Sequence, residues 1–280
     1  MKLHRPSRRD FLVSLASAVP AARLSAQKTA KEKETAKEKG RRLAEKVLAG
    51  LGGGAFRDMQ TRTEIGRAYS FYREQLTGLS IAQIYTRYDT RHDGPAEDGA
   101  LRQRQRQVFG RKQEDAVIFT GTEGFDVTWR GAKPLTDERV KQFRETTLHD
   151  VFYIFRARYA EPGIEFEDAG ADTIENQAVR ALDIFDAENR RLRVWVGAVG
   201  YLPVKQRFRR WDPSINDWRE EVARYSKYRD VGQGVMWPFA TTRERDTEKI
   251  HEMYCERVTL NDALPESLFE LPNGIRILKK

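Results

Sequence analysis

The sequence contains a single cysteine, Cys255, among its 280 residues. One thiol cannot form an intramolecular disulfide, and it leaves no second sulfur to ligate a metal ion. We therefore interpret Cys255 as an apolar residue of a buried strand. No Cys-x-x-Cys motif occurs, and no histidine has a partner at the helical spacing of metal ligands; the four are His4, His92, His149 and His251. The sequence thus predicts neither a metal site nor a cofactor, and it favours His92 and His149 as surface residues.

A strong excess of charge of one sign is also lacking. The net charge is +8, and half of it falls in the first 26 residues. What remains is spread along the chain and forms no dense basic stripe, which argues against nucleic acid as a partner. The 14 Phe, 10 Tyr and 5 Trp supply enough bulky apolar surface for a large core. The chain is therefore expected to be globular.

Long hydrophobic runs are missing too, and the one short run follows a pair of arginines. The stretch Ser7-Arg8-Arg9-Asp10-Phe11-Leu12 leads into weakly apolar residues up to Val19, which are too few to span a bilayer of about 30 Å. This order resembles a twin-arginine export signal, carried by Arg8, Arg9, Phe11 and Leu12. We expect cleavage after Ala26, with positions 21 and 22 as alternatives, and a soluble periplasmic product.

The remaining chain divides into a charged linker, 27–40, and one domain, 41–280. The domain begins with a short helix in which Leu43, Val47 and Leu51 share a face, and Gly52-Gly53-Gly54 ends it. Residue alternation then predicts about ten strands in a meander. These strands cover residues 56–72, 79–89, 101–109, 115–121, 125–129, 178–185, 192–196, 203–211, 218–228, 235–242 and 249–260.

Two segments within the meander have distinct patterns. The strand from Leu101 to Val108 alternates arginine with glutamine, which is typical of an exposed or edge position, although three arginines at this spacing also suit phosphate or lipid head groups. Residues 135–159 return to helical spacing behind a predicted N-cap at Thr136. We expect one long helix there, covering the concave face of the sheet.

A family resemblance enters in the C-terminal third. Leu202-Pro203-Val204-Lys205 is followed by the stretch 225–239, with Asp230-Val231-Gly232 and Pro238, and then by Leu268-Phe269-Glu270-Leu271-Pro272, expected as a last strand end. These turn and strand-end features resemble the outer membrane lipoprotein-sorting protein family, which is similar to the periplasmic lipoprotein carrier. The resemblance implies an α+β, mostly antiparallel fold, an incomplete and strongly curved β-barrel whose concave face is covered by helices.

The resemblance further implies an exported binding protein that holds acyl chains of a lipid or lipoprotein between sheet and helices, without catalysis. It leaves open a membrane-bound donor or acceptor as a partner, and it says nothing of the oligomeric state. The candidate ligand-lining residues are large and apolar, and they could equally fill a dry core; they are Phe125, Val127, Trp129, Phe143, Val151, Phe155, Val194, Phe208, Val235, Trp237 and Phe239.

Two other classes of function stay open. A sensory or interaction module on the same fold would show a polar groove in place of a deep apolar hollow. An enzyme is less favoured, since acidic pairs such as Glu165 with Glu167 and Glu220 with Glu221 have no visible nucleophile and adjacent base.

Overall fold

The computed structural model describes residues 34–89, 100–110 and 115–279. The export signal, with Arg8, Arg9, Phe11 and Leu12, lies outside the described residues and remains a prediction. His4 and His92 lie outside them as well.

One antiparallel sheet of thirteen strands forms the body of the structure. The strands are β1 Thr61–Tyr72, β2 Gln75–Tyr88, β3 Gln103–Phe109, β4 Asp115–Phe119, β5 Gly124–Thr128, β6 Gly131–Pro134, β7 Glu165–Ile174, β8 Gln177–Phe185, β9 Arg191–Gly197, β10 Pro203–Asp212, β11 Asp217–Asp230, β12 Met236–Arg245 and β13 Glu248–Leu260. Their order in the sheet is β6-β5-β4-β3-β2-β1-β13-β12-β11-β10-β9-β8-β7. Strands β1 to β6 follow one another from the middle of the sheet to one edge, strands β7 to β13 follow one another from the opposite edge, and β13 pairs with β1.

The open, strongly curved sheet confirms the incomplete barrel, but thirteen strands replace the predicted ten or so. The two strands that residue alternation missed, β6 and β7, are the two edges of the sheet. β6 has only four residues, among them Gly131 and Pro134, and β7 has four acidic residues among its ten, with Phe166 as its one buried residue. Neither edge strand therefore shows the apolar alternation that marks central strands.

Two helices precede the sheet. Helix α1, Ala36–Leu51, begins with a capping box between Thr35 and Glu38 and buries the predicted apolar face of Leu43, Val47 and Leu51. It starts five residues inside the predicted linker. A six-residue helix α2, Gly53–Asp58, then follows, where a strand from residue 56 was expected. That expectation was wrong because Gly52, in the left-handed conformation at φ 119°, ends α1 and lets the chain begin a new helix at once.

The helical segment after β6 is broken, which corrects the prediction of one long helix. Helix α3, Asp137–Leu148, starts at the predicted N-cap Thr136, whose hydroxyl accepts from the Arg139 N–H. A new start follows with α4, Val151–Tyr153, which continues as a π-helix, Ile154–Arg158. At the break, buried Gln206 on β10 accepts from the Val151 N–H at 3.0 Å and donates to the His149 carbonyl at 3.0 Å. The side chain thus satisfies two backbone groups that the interrupted helix leaves open.

Two further expectations about the sheet were wrong. β3 is not an edge strand, since it pairs with both β2 and β4. Its arginines face away from the helices, where Arg104 contacts Glu266 and Arg106 donates to the Leu268 carbonyl. The segment expected as a last strand end instead contains a 3-10 turn, Glu266–Phe269, and it covers the outer face of β3.

The main core lies between the helices and one face of the sheet, which we call the inner face. α1, α2, α4 and the π-helix contribute fully buried side chains such as Val47, Phe56 and Phe155, and the strands contribute Leu182 and Val194. The half of the inner face that packs against these helices is filled by close-packed apolar residues. A second, smaller cluster with Ile118 lies on the outer face, under the C-terminal segment.

Candidate functional site

The other half of the inner face holds a cavity of about 410 Å³, which we call the hollow. It is bounded by inner-face residues of β1, β2, β3, β11, β12 and β13, and by α3 and the start of α4. This size falls within the range of small-molecule sites, about 300–1,000 Å³. The hollow is therefore the natural candidate for a ligand site.

Apolar and polar residues share the lining of the hollow. The apolar part consists of side chains from five strands and two helices: Ala68, Ala82, Ile84, Phe109, Phe143, Phe152, Trp237 and Met253. Uncharged polar groups face it from β3, where Gln103, Gln105 and Gln107 alternate with the outward arginines, and from Thr146, Thr147 and Thr241. The lining suits an amphiphile, whose chain contacts the apolar part while polar groups pair with the rest.

Helix α3 forms one wall of the hollow and is fixed to the sheet by two contacts. The ring of Phe143 stacks on Phe119 of β4, with 3.5 Å between ring centroids. Arg139 donates to Asp126 on β5 at 2.8 Å. Only Thr147 of this helix is buried, so α3 covers the sheet edge without filling the space below it.

A paired arginine, Arg62, belongs to the lining of the hollow. The Arg62 guanidinium donates to Glu64 at 3.0 Å and to the Tyr88 hydroxyl, and it lies 4.1 Å from the centroid of the Trp237 ring. The indole of Trp237 in turn donates to Glu64 at 3.0 Å. Burial alone would lower the pKa of Arg62, but Glu64 and Tyr88 outweigh it and raise that pKa. This charge is therefore compensated within the protein.

Three other titratable groups of the lining have pKa values shifted by burial. Burial raises the pKa of Asp150, whose carboxylate accepts from the Tyr153 N–H at 2.9 Å. It also raises the pKa of Tyr225 well above the usual value. Burial and the charge of Arg243 lower the pKa of His251 to about 4. At neutral pH this histidine is therefore an uncharged hydrogen-bonding group.

The structure brings only two of the predicted lining residues to the hollow, Phe143 and Trp237. Six others lie in the filled half of the core: Val151, Phe155, Val194, Phe208, Val235 and Phe239. Phe125 and Val127 pack with the outer-face cluster, because the register pairs them with Ile118 and Ala116. Trp129, expected to face the interior, is 78% exposed, because β5 ends at Thr128 and Trp129 lies in the turn to β6 instead of on a paired strand.

His149 also departs from its prediction as a surface residue. Its side chain is buried, stacks on Phe208 with 4.3 Å between ring centroids, and donates from Nδ1 to the Glu145 carbonyl at 2.8 Å. Burial lowers the pKa of His149. Position 149 ends α3, and the break in the chain turns the ring toward β10.

A larger cleft of about 790 Å³ lies outside the hollow, beside α3 and the strands β9 to β11. It is rich in arginine and includes Trp211 and Trp218. Most of its guanidinium groups already have carboxylate partners: Arg191 and Arg193 contact Asp183, both at 2.7 Å. Paired charges of this kind are weaker ligand groups than free ones, and the cleft is also more open than the hollow.

Two general features of the described ranges bear on function. Among residues 34–89, 100–110 and 115–279, no cluster of three or more His, Cys, Asp or Glu side chains could hold a metal ion. No helix of these same ranges combines the length and apolarity needed to cross a membrane.

Comparison with known proteins identifies the fold. No protein-family model and no curated protein sequence matches the chain. Among solved structures, a candidate outer membrane lipoprotein-sorting protein domain from Vibrio parahaemolyticus is similar over 84% of this chain and 97% of its own, with 13% identity and a TM-score of 0.54. A DUF1329 family protein from Desulfovibrio piger is similar over 85% of this chain and 98% of its own, with 10% identity and a TM-score of 0.57. The sequence resemblance to lipoprotein-sorting proteins is thus confirmed at the level of the fold.

Most lining residues of the hollow were missed because no simple pattern marks them. More than half of them are alanines, glutamines, threonines and charged residues, whereas the prediction selected large apolar side chains; the large apolar residues Ile84, Phe109, Phe152 and Met253 were missed as well. The alternation of glutamine with arginine in β3 was the one available signal. The prediction considered the arginines of this strand, which face outward, whereas the glutamines on the opposite face line the hollow.

Proposed function

We propose that this chain is an exported, periplasmic binding protein that holds an acyl chain of a lipid or lipoprotein in the hollow, without catalysis. The observation that carries the proposal is the hollow itself, a partly open cavity between the sheet and α3 whose lining combines apolar and polar side chains. The similarity to a lipoprotein-sorting fold supports it. Burial of an acyl chain contributes about 0.8 kcal/mol per methylene, so ten methylenes contribute roughly 8 kcal/mol before ordering costs.

The apolar part of the lining favours the seating of a chain against β1 and β2. Ala68 on β1 and Ala82 on β2 face the hollow as small side chains, with Met253 beside them. Small residues at these positions keep the space open, since larger ones would project into it. The proposal therefore predicts that volume added at Ala82 displaces a ligand.

A titration with a fluorescent fatty acid tests this proposal. We expect saturable binding by the wild type and a loss of roughly tenfold or more in affinity for Ala82→Phe, because the added ring occupies the hollow. The matched control is Ala178→Phe on β8, whose side chain is exposed. Circular dichroism and thermal melting check that both variants keep the fold. Absence of probe binding by the wild type would refute the proposal, as would undiminished binding by folded Ala82→Phe.

The second candidate function is a sensory or interaction module, and the polar part of the lining favours it. Gln103, Gln105 and Gln107 present amide groups that suit a peptide backbone as well as a lipid. Organic extraction of purified protein followed by mass spectrometry separates the two. A co-purified lipid or fatty acid supports the carrier, whereas a co-purified peptide with no lipid supports the interaction module.

A further inference from the structure

One arginine that faces the hollow has no partner among the residues that the structure describes. Arg243 on β12 belongs to the lining, and its side chain is exposed to the open space. Within the described part of the chain it forms no hydrogen bond or ion pair. The other two lining arginines differ, because Arg62 and Arg245 contact Glu64 and Glu221 at 3.0 and 2.8 Å.

Two more polar groups in the same region lack hydrogen-bond partners within the described ranges. The hydroxyl of Tyr225 and Nδ1 of His251 are buried and have no hydrogen-bond partner among the described residues, and both side chains line the hollow. A buried polar group left unpaired costs about 1–3 kcal/mol. A ligand that pairs with these groups would recover that cost.

The sheet register places these three groups side by side. Arg243 on β12 is paired with His251 on β13, so both side chains emerge on the same face. Tyr225 on β11 is paired with Thr241, which lies two residues before Arg243 and therefore on the same face. Three adjacent strands thus offer a guanidinium, a phenol and an imidazole to one region of the hollow.

Asp150 is the carboxylate whose charge acts on this region. It lies close enough for the charge of Arg243 to counteract the rise in its pKa. Its oxygen accepts from the Tyr153 N–H at 2.9 Å, however, and the two side chains form no ion pair in the described structure. The N–H groups of Arg243 consequently remain available to a ligand.

We propose that Arg243, with Tyr225 and His251, binds the single anionic headgroup, a carboxylate or a phosphate, of the amphiphile whose chain occupies the hollow. This inference rests on the proposed function and names the ligand class more closely. A guanidinium donates two parallel hydrogen bonds to either group, and the phenol and imidazole add donors. The apolar surface at Ala68 and Ala82 lies on neighbouring strands, where the chain of the same molecule would lie.

Calorimetric titration with dodecyl phosphate, dodecanol and inorganic phosphate tests the inference. We expect wild-type protein to bind dodecyl phosphate about tenfold more tightly than dodecanol. This ratio corresponds to the lower end of the free-energy range of a charge-assisted hydrogen bond. Arg243→Gln should bring this ratio close to one with little change in dodecanol affinity, and Arg243→Lys should restore part of it. The matched control is Arg257→Gln, an exposed arginine of β13 outside the lining, which should leave the ratio unchanged.

The outcomes separate the two proposals. Tight binding of both dodecyl compounds with a ratio near one, or a ratio that survives Arg243→Gln, overturns the headgroup site and leaves the binding of acyl chains standing. Inorganic phosphate bound as tightly as dodecyl phosphate identifies a small-anion site and overturns the inference as well. If no dodecyl compound binds, the proposed function fails together with the headgroup site.

Discussion

Replacement of Phe155 by alanine tests whether the core beside the π-helix is filled. Phe155 is fully buried and contacts the rings of Tyr159 and Phe166, at centroid distances of 5.6 and 5.9 Å. A buried phenylalanine removes about 150–250 Å² from water, which at ~25 cal/mol per Å² amounts to roughly 4–6 kcal/mol. Since alanine keeps part of this area, we expect a loss of about 3–5 kcal/mol in the free energy of unfolding.

Urea denaturation followed by tryptophan fluorescence measures this loss, and thermal melting should show a midpoint lowered by roughly 10 °C. Trp129→Ala is the comparison, because its exposed ring predicts a change within about 1 kcal/mol. A loss below about 1 kcal/mol for Phe155→Ala would contradict the filled core. It would return Phe155 to the class of cavity-lining residues that the sequence suggested.

Two further predictions concern close packing and pH. A Cβ atom at Gly40 of α1 would lie 2.3 Å from the Phe166 carbonyl oxygen, so Gly40→Ala should lower the melting temperature. At Gly54 a Cβ atom would have nothing within 4 Å, so Gly54→Ala should leave the melting temperature equal or higher. A lower melting temperature for Gly54→Ala than for Gly40→Ala would contradict the α1–β7 contact. Burial alone would raise the pKa of Asp186, but hydrogen bonds from Arg190 outweigh burial and lower this pKa. The stability that the Asp186 carboxylate contributes is therefore present above the unfolded pKa of about 3.9 and is lost as the pH falls below that value. Asp186→Asn should therefore be less stable at neutral pH and lose less stability on acidification, which thermal melts from neutral pH to about pH 3 will show; parallel curves for both proteins would contradict this.

The sequence predicts the helix–sheet architecture well where one face of an element is buried. In α1, four-residue spacing identifies Leu43, Val47 and Leu51, because a helix beside a sheet needs one apolar face. The hairpin of β4 and β5 was likewise confirmed. Alternation cannot tell which face of the sheet is the inner one, however. Phe125 and Val127 lie on the outer face, since the C-terminal segment covers that face too.

The break after α3 illustrates why the site was harder to predict than the fold. The spacing from Phe143 through Thr147 to Val151 continues without interruption, so periodicity alone favours one helix. The break depends on Gln206, a residue distant in sequence, which bonds both sides of it. Long-range polar contacts of this kind leave no local pattern.

The hollow depends on the same kind of long-range arrangement. Its apolar part includes two small side chains, Ala68 and Ala82, which a search for large apolar residues does not select. Its charged groups come from strands far apart in the chain, with Arg62 on β1 and Arg243 on β12. Only the pairing of β1 with β13 brings these residues to one cavity.

Fluorescence quenching that locates a bound acyl chain tests the central claim most directly. All five tryptophans lie within the described ranges, and Trp237 is the only one among them that lines the hollow. A brominated fatty acid should therefore quench the emission of Trp237, and Trp237→Phe should abolish most of the quenching while the fatty acid still binds. Quenching that persists in Trp237→Phe would place the chain near a tryptophan elsewhere and contradict the assignment of the hollow as the ligand site.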